Sequence, residues 1–413
     1  MNSLFKKYKG TIVNLFWRTL QIGARNGFSF LIFYLSSLFL PKEDFGYYNY
    51  ILKITFFITL FIDFGISVAV SKYVAEYDLV DKKKIKPLMA NSIIIIMLLA
   101  SVAVVIVYCS NVFLFNGRYN HIISLLPLMY FVPLTSLFDA VFRGQKRFQE
   151  LSLITFGTGL ISFIFFYILI RQYGLTGAFH SQNLFYLIML AGFWLRYRIF
   201  YFKFDKLVFS ETYKYVLVIG VIGVFMFLST QVDVLFLGYY GYLTEVAYFE
   251  IIFRFLTFLM MPYVIIGHVL SPDFTKNFVV KNYQWVKLRL KKSIFFSFIS
   301  STLVCIILYY TLPFVFEHFF TKYNSADLQK MSNIMLVLIF SNMFNGFIPL
   351  LAIATGHARW GMYFIVGVGL LNVVFDYISI THWGLWGMIY VTVILKSLAN
   401  IMFIGYYYNK LPD

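Results

Sequence analysis

Charge is scarce in this sequence. Asp, Glu, Lys and Arg make up 13% of the 413 residues, about half their share in an ordinary soluble domain. That excludes a chain kept in water by a charged surface. Cysteine is scarcer still: Cys109 and Cys305 are the only two. They lie in separate apolar runs, so neither a disulfide framework nor a cysteine-built zinc site fits. The six histidines show no ligand spacing, and no metal is expected. Phosphate-binding glycine loops, dinucleotide fingerprints, nucleophile elbows and metalloprotease helices are all missing. No stretch is large and polar enough for a soluble ATPase domain. The expectation is a protein that is not an enzyme and uses no cofactor.

Apolar residues are abundant instead. They form 61% of the chain, with 50 Phe and 32 Tyr, and the mean hydropathy is +0.78. Lipid is the natural solvent for such a fold. The net charge of +16 does not point to nucleic acid, because the basic residues fall between apolar runs rather than on one domain. Runs of roughly 20–28 residues, the length that spans a bilayer, begin near Ile12, Gly46, Leu88, His121, Leu151, Leu175, Tyr213, Tyr242, Ser293, Met331, Ala358 and Gly384. The fold class this predicts is an all-α polytopic membrane protein of about twelve transmembrane helices. Lys6, Lys7 and Lys9 precede a first run too long for a signal-peptide core and interrupted by Arg18 and Arg25, so it reads as an uncleaved span.

The loop charges fix an orientation. With the N-terminus cytoplasmic, 24 of the 34 Lys and Arg fall in cytoplasmic segments, five fall on the opposite side and five lie inside spans. Basic loops stay in the cytoplasm, so both termini are expected there. The segment Phe274–Lys292, basic with interleaved apolar residues, is expected to lie against anionic membrane lipid.

The chain also repeats itself. At an offset of 201, Gly46-Tyr47-Tyr48-Asn49 and Lys53 fall on Ala247-Tyr248-Phe249-Glu250 and Arg254. At 212, Gly144-Gln145-Lys146-Arg147 falls on Gly356-His357-Ala358-Arg359, and at 210 Gly174-Leu175-Thr176-Gly177 falls on Gly384-Leu385-Trp386-Gly387. Two parallel six-helix pseudo-repeat lobes, 1–205 and 206–413, follow from this register, a layout common among transporters.

Polar residues inside the spans carry the functional signal. Asn14, Arg18, Gln21, Arg25 and Ser29 share one helical face. A central Arg costs roughly 2.5–3.5 kcal/mol to insert, so such a stripe faces water or a partner charge. Lys53, Arg254 and Lys396 are the other cations within spans, and Thr392, Lys396 and Asn400 again share a face. Acids within spans are Asp63, Asp139, Asp233, Glu250 and Asp376, with Asn372 one turn from Asp376. Glu250 and Arg254, four apart, are equally readable as a pair on one helix. Arg18, Arg25, Lys53, Arg254 and Lys396, with Asn14, Gln21, Asn372 and Asn400, form the candidate substrate-binding set. Asp63, Asp233, Glu250 and Asp376 are candidate ion-coupling groups, since a carboxylate in a low-dielectric span can trade a proton.

Several local patterns resemble a known family. They are Phe45-Gly46-Tyr47-Tyr48, Asp63-Phe64-Gly65-Ile66, Asp233-Val234-Leu235-Phe236-Leu237-Gly238, Glu245-Val246-Ala247-Tyr248, Gly356-His357-Ala358-Arg359, Asn372 and Trp383-Gly384-Leu385-Trp386-Gly387-Met388. Spread over nearly the whole chain, they resemble the polysaccharide repeat-unit flippases, and among those the O-antigen branch, of the multidrug/oligosaccharidyl-lipid/polysaccharide exporter superfamily. The resemblance implies a V-shaped bundle of two lobes around a central cationic cavity, in a bacterial inner membrane. The implied cargo is a polyprenyl-pyrophosphate-linked oligosaccharide, turned from the cytoplasmic to the periplasmic leaflet by alternating access. Coupling to a proton or sodium gradient, and a polysaccharide polymerase as partner, follow from the same resemblance. Two alternatives stay open: an ion-coupled drug or cation exporter of the superfamily, which would want acids at the cavity centre, and a membrane-embedded polysaccharide polymerase.

Overall fold

The computed structural model describes residues 2–411 other than 118, 198–200 and 202; the side chains of 2–12, 14, 15, 268, 272 and 358 also lie outside the described set. Among the described residues every regular element is a helix. A chain that must satisfy each backbone N–H and C=O without water has this as its simplest solution. Hydroxyls follow the same rule. Thr55, Ser92 and Ser301 each donate to the carbonyl one turn back, at 2.9, 2.8 and 2.7 Å. Large apolar side chains face outward throughout; Phe113 and Tyr310 are 77% and 74% exposed. Among the described residues eight helical segments are long and apolar enough to cross a membrane, and the chain is a multi-pass all-α membrane protein.

The chain forms two compact units, Met1–Val224 and Phe225–Asp413. In the first, α1 (Asn2–Phe39) packs along α7 (Phe148–Arg196). Helices α2 (Lys42–Asp63) and α3 (Ile66–Val80) follow one path broken at Phe64 and Gly65, both in the left-handed region at φ 32° and 82°. Gly65 is required there twice over: a Cβ would stand 2.7 Å from the backbone nitrogen of Gly220 in α8 (Lys206–Tyr239). Beside them run α4 (Ile85–Cys109), the single turn α5 (Asn120–Ser124) and α6 (Leu128–Gly144). Val70, Val74, Met89, Leu137, Phe142 and Phe193 lie in the apolar core they share. In the second unit, α11 (Ala326–Asn345) packs on α10 (Tyr283–Phe319), on α9 (Leu243–Val279) and on α13 (Ala358–Lys410), while α12 (Ile348–Ala354) packs on α9 and α13.

The twelve runs of the sequence differ from these eight helices at four places. Helices α7 and α13 each contain two of the runs, joined at Gly174 (φ 55°, ψ −128°) and Gly384 (φ 62°, ψ −155°). These dihedrals are almost closed to any residue with a Cβ. The two glycines are 210 residues apart, the same offset at which their sequence neighbourhoods repeat, so the repeat is written in the backbone too. Helix α1, with Arg18 and Arg25, is not among the eight. The fourth run is split into α5 and α6 by a turn leading to Pro127. The tenth is one of the eight, although it holds a similar break between α11 and α12, ahead of Pro349. The basic segment Phe274–Lys292 is a helix–turn–helix. There α9 ends at Val279, Lys281 takes φ 59°, and α10 begins at Tyr283.

Candidate functional site

Each unit holds its own cluster of intramembrane polar groups. In the first, the stripe of α1 meets α6. Arg18 Nη1 donates to Gln21 Oε1 one turn on, at 2.5 Å. Gln21, fully buried, reaches Asp139 Oδ1 through its amide at 3.5 Å. Asp139 Oδ2 pairs with Arg143 Nε at 2.6 Å. Both intrahelical links use the three- and four-residue spacing that puts side chains on one face. Arg25, on the same stripe, is exposed, and Lys53 is half-buried on α2. Asn14 has its side chain outside the described residues. Asp63 does local work: its carboxylate accepts from the backbone N–H of Ser67 at 3.1 Å and from its hydroxyl at 2.5 Å, closing the first turn of α3 across the Phe64–Gly65 break.

The second unit holds a more deeply buried cluster. Asp233 on α8 and Asp376 on α13 are both 0% exposed. Lys396 Nζ donates to Asp233 Oδ2 at 2.5 Å. The Thr392 hydroxyl oxygen lies 2.7 Å from Asp233 Oδ1 and 3.1 Å from Asp376 Oδ1. The helical stripe Thr392–Lys396–Asn400 therefore points its first two members at carboxylates contributed by separate segments. Its third member joins a different set: Asn345 Nδ2 donates to Asn400 Oδ1 at 2.9 Å, and Asn400 Nδ2 reaches Ser341 and Asn342 on α11 at 3.3 and 3.4 Å. Asn372, buried one turn before Asp376, donates to the Leu228 carbonyl at 3.3 Å. On α9, Glu250 is buried and Arg254 half-buried.

A cavity of about 300 Å³ adjoins this cluster, with Lys396, Asn342, Asn345 and Asn400 in its wall. The amides of α11 did not stand out in the sequence. Their signal was there in the three-residue step from Asn342 to Asn345, on a run that is otherwise apolar.

These features are those of an all-α multi-pass membrane protein with charged and polar groups buried among its helices, and the comparisons with known proteins give its fold and family. The chain shares its fold with solved transporters of the MATE type. One is a multidrug-resistance MATE-family transporter of the MOP superfamily in an inward-facing conformation, with TM-score 0.77, 15% identity, 95% of this chain and 94% of that one. A second is a MOP superfamily transporter from Pyrococcus furiosus described as having a binding pocket of reversed polarity; it gives 0.68 at 16% identity over 97% and 95%. A third is a MATE protein in complex with MaD3S, at 0.67 and 16% identity over 97% and 95%. No curated protein matches the chain at a significant level. The polysaccharide biosynthesis protein family matches residues 12–278, and the MatE family matches residues 219–378. The first match covers well over half of the sequence, and the chain belongs to the polysaccharide biosynthesis protein family.

Proposed function

We propose that the protein is a flippase for a polyprenyl-pyrophosphate-linked oligosaccharide, an O-antigen or similar surface-polysaccharide repeat unit. It moves the cargo from the cytoplasmic to the periplasmic leaflet of a bacterial inner membrane by alternating access. The observation that carries this reading is the set of five cations, Arg18, Arg25, Lys53, Arg254 and Lys396, within the helices of a polysaccharide biosynthesis family member. A pyrophosphate cannot cross hydrocarbon unpaired. Arginine offers it a planar fork, and lysine a point charge. Gln21, Asn372 and Asn400, with Asn14, supply hydrogen bonds suited to sugars. The topology in this reading has twelve spans, counting α1, the α5–α6 pair and each half of α7 and α13, with both termini cytoplasmic as the loop charges require. A polymerase in the same membrane would take up the product. Ion coupling falls to Asp233 and Asp376, whose complete burial suits a proton or sodium ion better than the capping position of Asp63.

The test is transport of lipid-linked oligosaccharide in proteoliposomes, scored beside surface polysaccharide in cells. Arg25→Ala and Arg254→Glu should abolish both with expression intact, and Arg25→Lys should keep a part. Normal transport by well-expressed alanine variants at Arg25, Arg254 and Lys396 overturns the reading. A second reading, an ion-coupled exporter of cationic drugs, is favoured by the MatE match and the buried Asp233–Asp376 pair. It predicts drug efflux that survives loss of the five cations but not of the two acids.

A further inference from the structure

The first unit holds a slot between α3, α4 and the first turns of α8, with a cavity of about 340 Å³. Val70, Leu88, Leu99 and Val216 stand in its wall. Three polar residues of the wall spend their hydrogen bonds inside the protein. The Ser92 hydroxyl donates to the Leu88 carbonyl and the Thr212 hydroxyl to that of Val208, at 2.8 and 3.0 Å. Asn91 gives and takes a bond of 2.8 Å with the backbone of Asp205. An apolar space that offers no polar partner does not hold ordered water, so hydrocarbon is what this slot can take. It opens along one edge of α8, where Phe209, Tyr213 and Leu217, spaced four residues apart, are all exposed.

One end of the slot carries charge. Asn91 fixes residue 205 there, and Lys203 and Lys206, both exposed, flank it. The two acids beside them are engaged. Asp205 caps α8, its carboxylate accepting from the N–H groups of Leu207 and Val208 at 2.9 and 3.1 Å. Glu211 accepts from Lys84 Nζ through one oxygen and from the Tyr77 hydroxyl through the other, both at 2.6 Å. The Tyr73 hydroxyl donates to the Glu211 carbonyl at 3.0 Å. The rim therefore presents two ammoniums beside a hydrocarbon-lined opening, the complement of a lipid with a negative headgroup. We propose that the slot binds one anionic phospholipid of the surrounding membrane. One acyl chain enters between α4 and the Phe209–Tyr213–Leu217 edge of α8, and the phosphate rests on Lys203 and Lys206. The lipid braces the start of α8 on α3 and α4, alongside the bonds of Asn91 and Glu211. The inference does not depend on what the protein transports.

The experiment is native mass spectrometry of the full-length protein, delipidated in detergent and mixed with dioleoyl phosphatidylglycerol or dioleoyl phosphatidylcholine. The two lipids have the same chains and differ only in the headgroup. Wild type should hold one phosphatidylglycerol about tenfold more tightly than phosphatidylcholine, since each lysine near an anionic lipid contributes severalfold. Lys203→Gln combined with Lys206→Gln should bring that preference below about twofold, because the attraction comes from those charges. Ala69→Phe puts a ring into the wall of the slot and should weaken both lipids by about fivefold or more with the rim intact, because overfilled space excludes the chain. Lys276→Gln combined with Lys281→Gln, exposed lysines at the turn between α9 and α10, should leave the preference as it is in wild type.

Equal retention of the two lipids by wild type overturns the proposal. So does a preference that survives the loss of Lys203 and Lys206, or an Ala69→Phe protein that holds phosphatidylglycerol as wild type does. Farnesyl pyrophosphate, a prenyl chain bearing a pyrophosphate, serves as competitor and should leave the bound phosphatidylglycerol in place. Its displacement by stoichiometric farnesyl pyrophosphate assigns the slot to a prenyl chain and overturns the phospholipid. Because Lys203 and Lys206 are exposed, their variants keep the test decisive even where Ala69→Phe does not fold.

Discussion

Replacing Lys396 by methionine removes the ammonium bonded to Asp233 and keeps the apolar stem. Asp233 is 0% exposed and the Lys396 side chain 10%, so water does little to screen the loss. Breaking a buried ion pair by deleting one partner costs about 3–5 kcal/mol, because the remaining charge is left uncompensated.

The partner deletion is predicted to be milder. Asp233→Asn leaves an ammonium that still has Asp376 nearby and a cavity to enter. The double variant, with both charges gone, should recover at least half of the loss of Lys396→Met. Denaturant unfolding in a fixed detergent, followed by tryptophan fluorescence, gives the cycle. Additive single and double variants, with no recovery, refute the argument that the pair is what holds these charges in the bilayer.

Four further outcomes follow from other parts of the chain. Gly174→Ala and Gly384→Ala force a Cβ into dihedrals that reject it and should each cost about 1–3 kcal/mol, while Gly405→Ala, helical and with open space at its Cβ, should be neutral or slightly stabilising in the same thermal melt. Asn91 and the backbone of residue 205 exchange two hydrogen bonds of 2.8 Å, so Asn91→Ala should speed tryptic cleavage at Lys203 and Lys206; unchanged cleavage contradicts an anchoring role. The Asp139–Arg143 pair is more exposed, at 11% and 30%, so Asp139→Asn should cost only about 1 kcal/mol, well below Lys396→Met by the same unfolding assay. Single cysteines placed at Lys84 and Lys42 should be respectively shielded from and labelled by an impermeant maleimide in intact spheroplasts; the reverse pattern inverts the proposed orientation.

The helices were legible because lipid leaves the backbone one economical solution, and composition alone announces it. The two glycine breaks were legible as a repeat of four residues, though not as positive φ, since nothing in Gly-Leu-Thr-Gly says which glycine bends. Periodicity placed Thr392, Lys396 and Asn400 on one face, but a face has no address. Asp233 is 163 positions from Lys396, and no local pattern reports a contact made that far away. Asp63 illustrates the opposite failure. Its burial and charge made it a coupling candidate, while the feature that decides its contact, the left-handed pair Phe64–Gly65 that brings Ser67 back to it, is a backbone property.

The two units show how one repeated scaffold separates two electrostatic tasks. In the first, the acid Asp139 is bound to an arginine on its own helix, and both remain partly exposed. Such a pair is made by local spacing, survives rearrangement of its neighbours and is screened by whatever water reaches it. In the second, Asp233 and Lys396 come from segments far apart in sequence and are far more deeply buried. Their attraction is strong because the surroundings are apolar, and it is conditional because it depends on α8 and α13 staying in register. A charge pair that is strong and conditional can report a movement of helices, whereas a local and screened one cannot. Burial rather than the count of charges therefore makes the second unit's pair the one to test first in the proposed flippase.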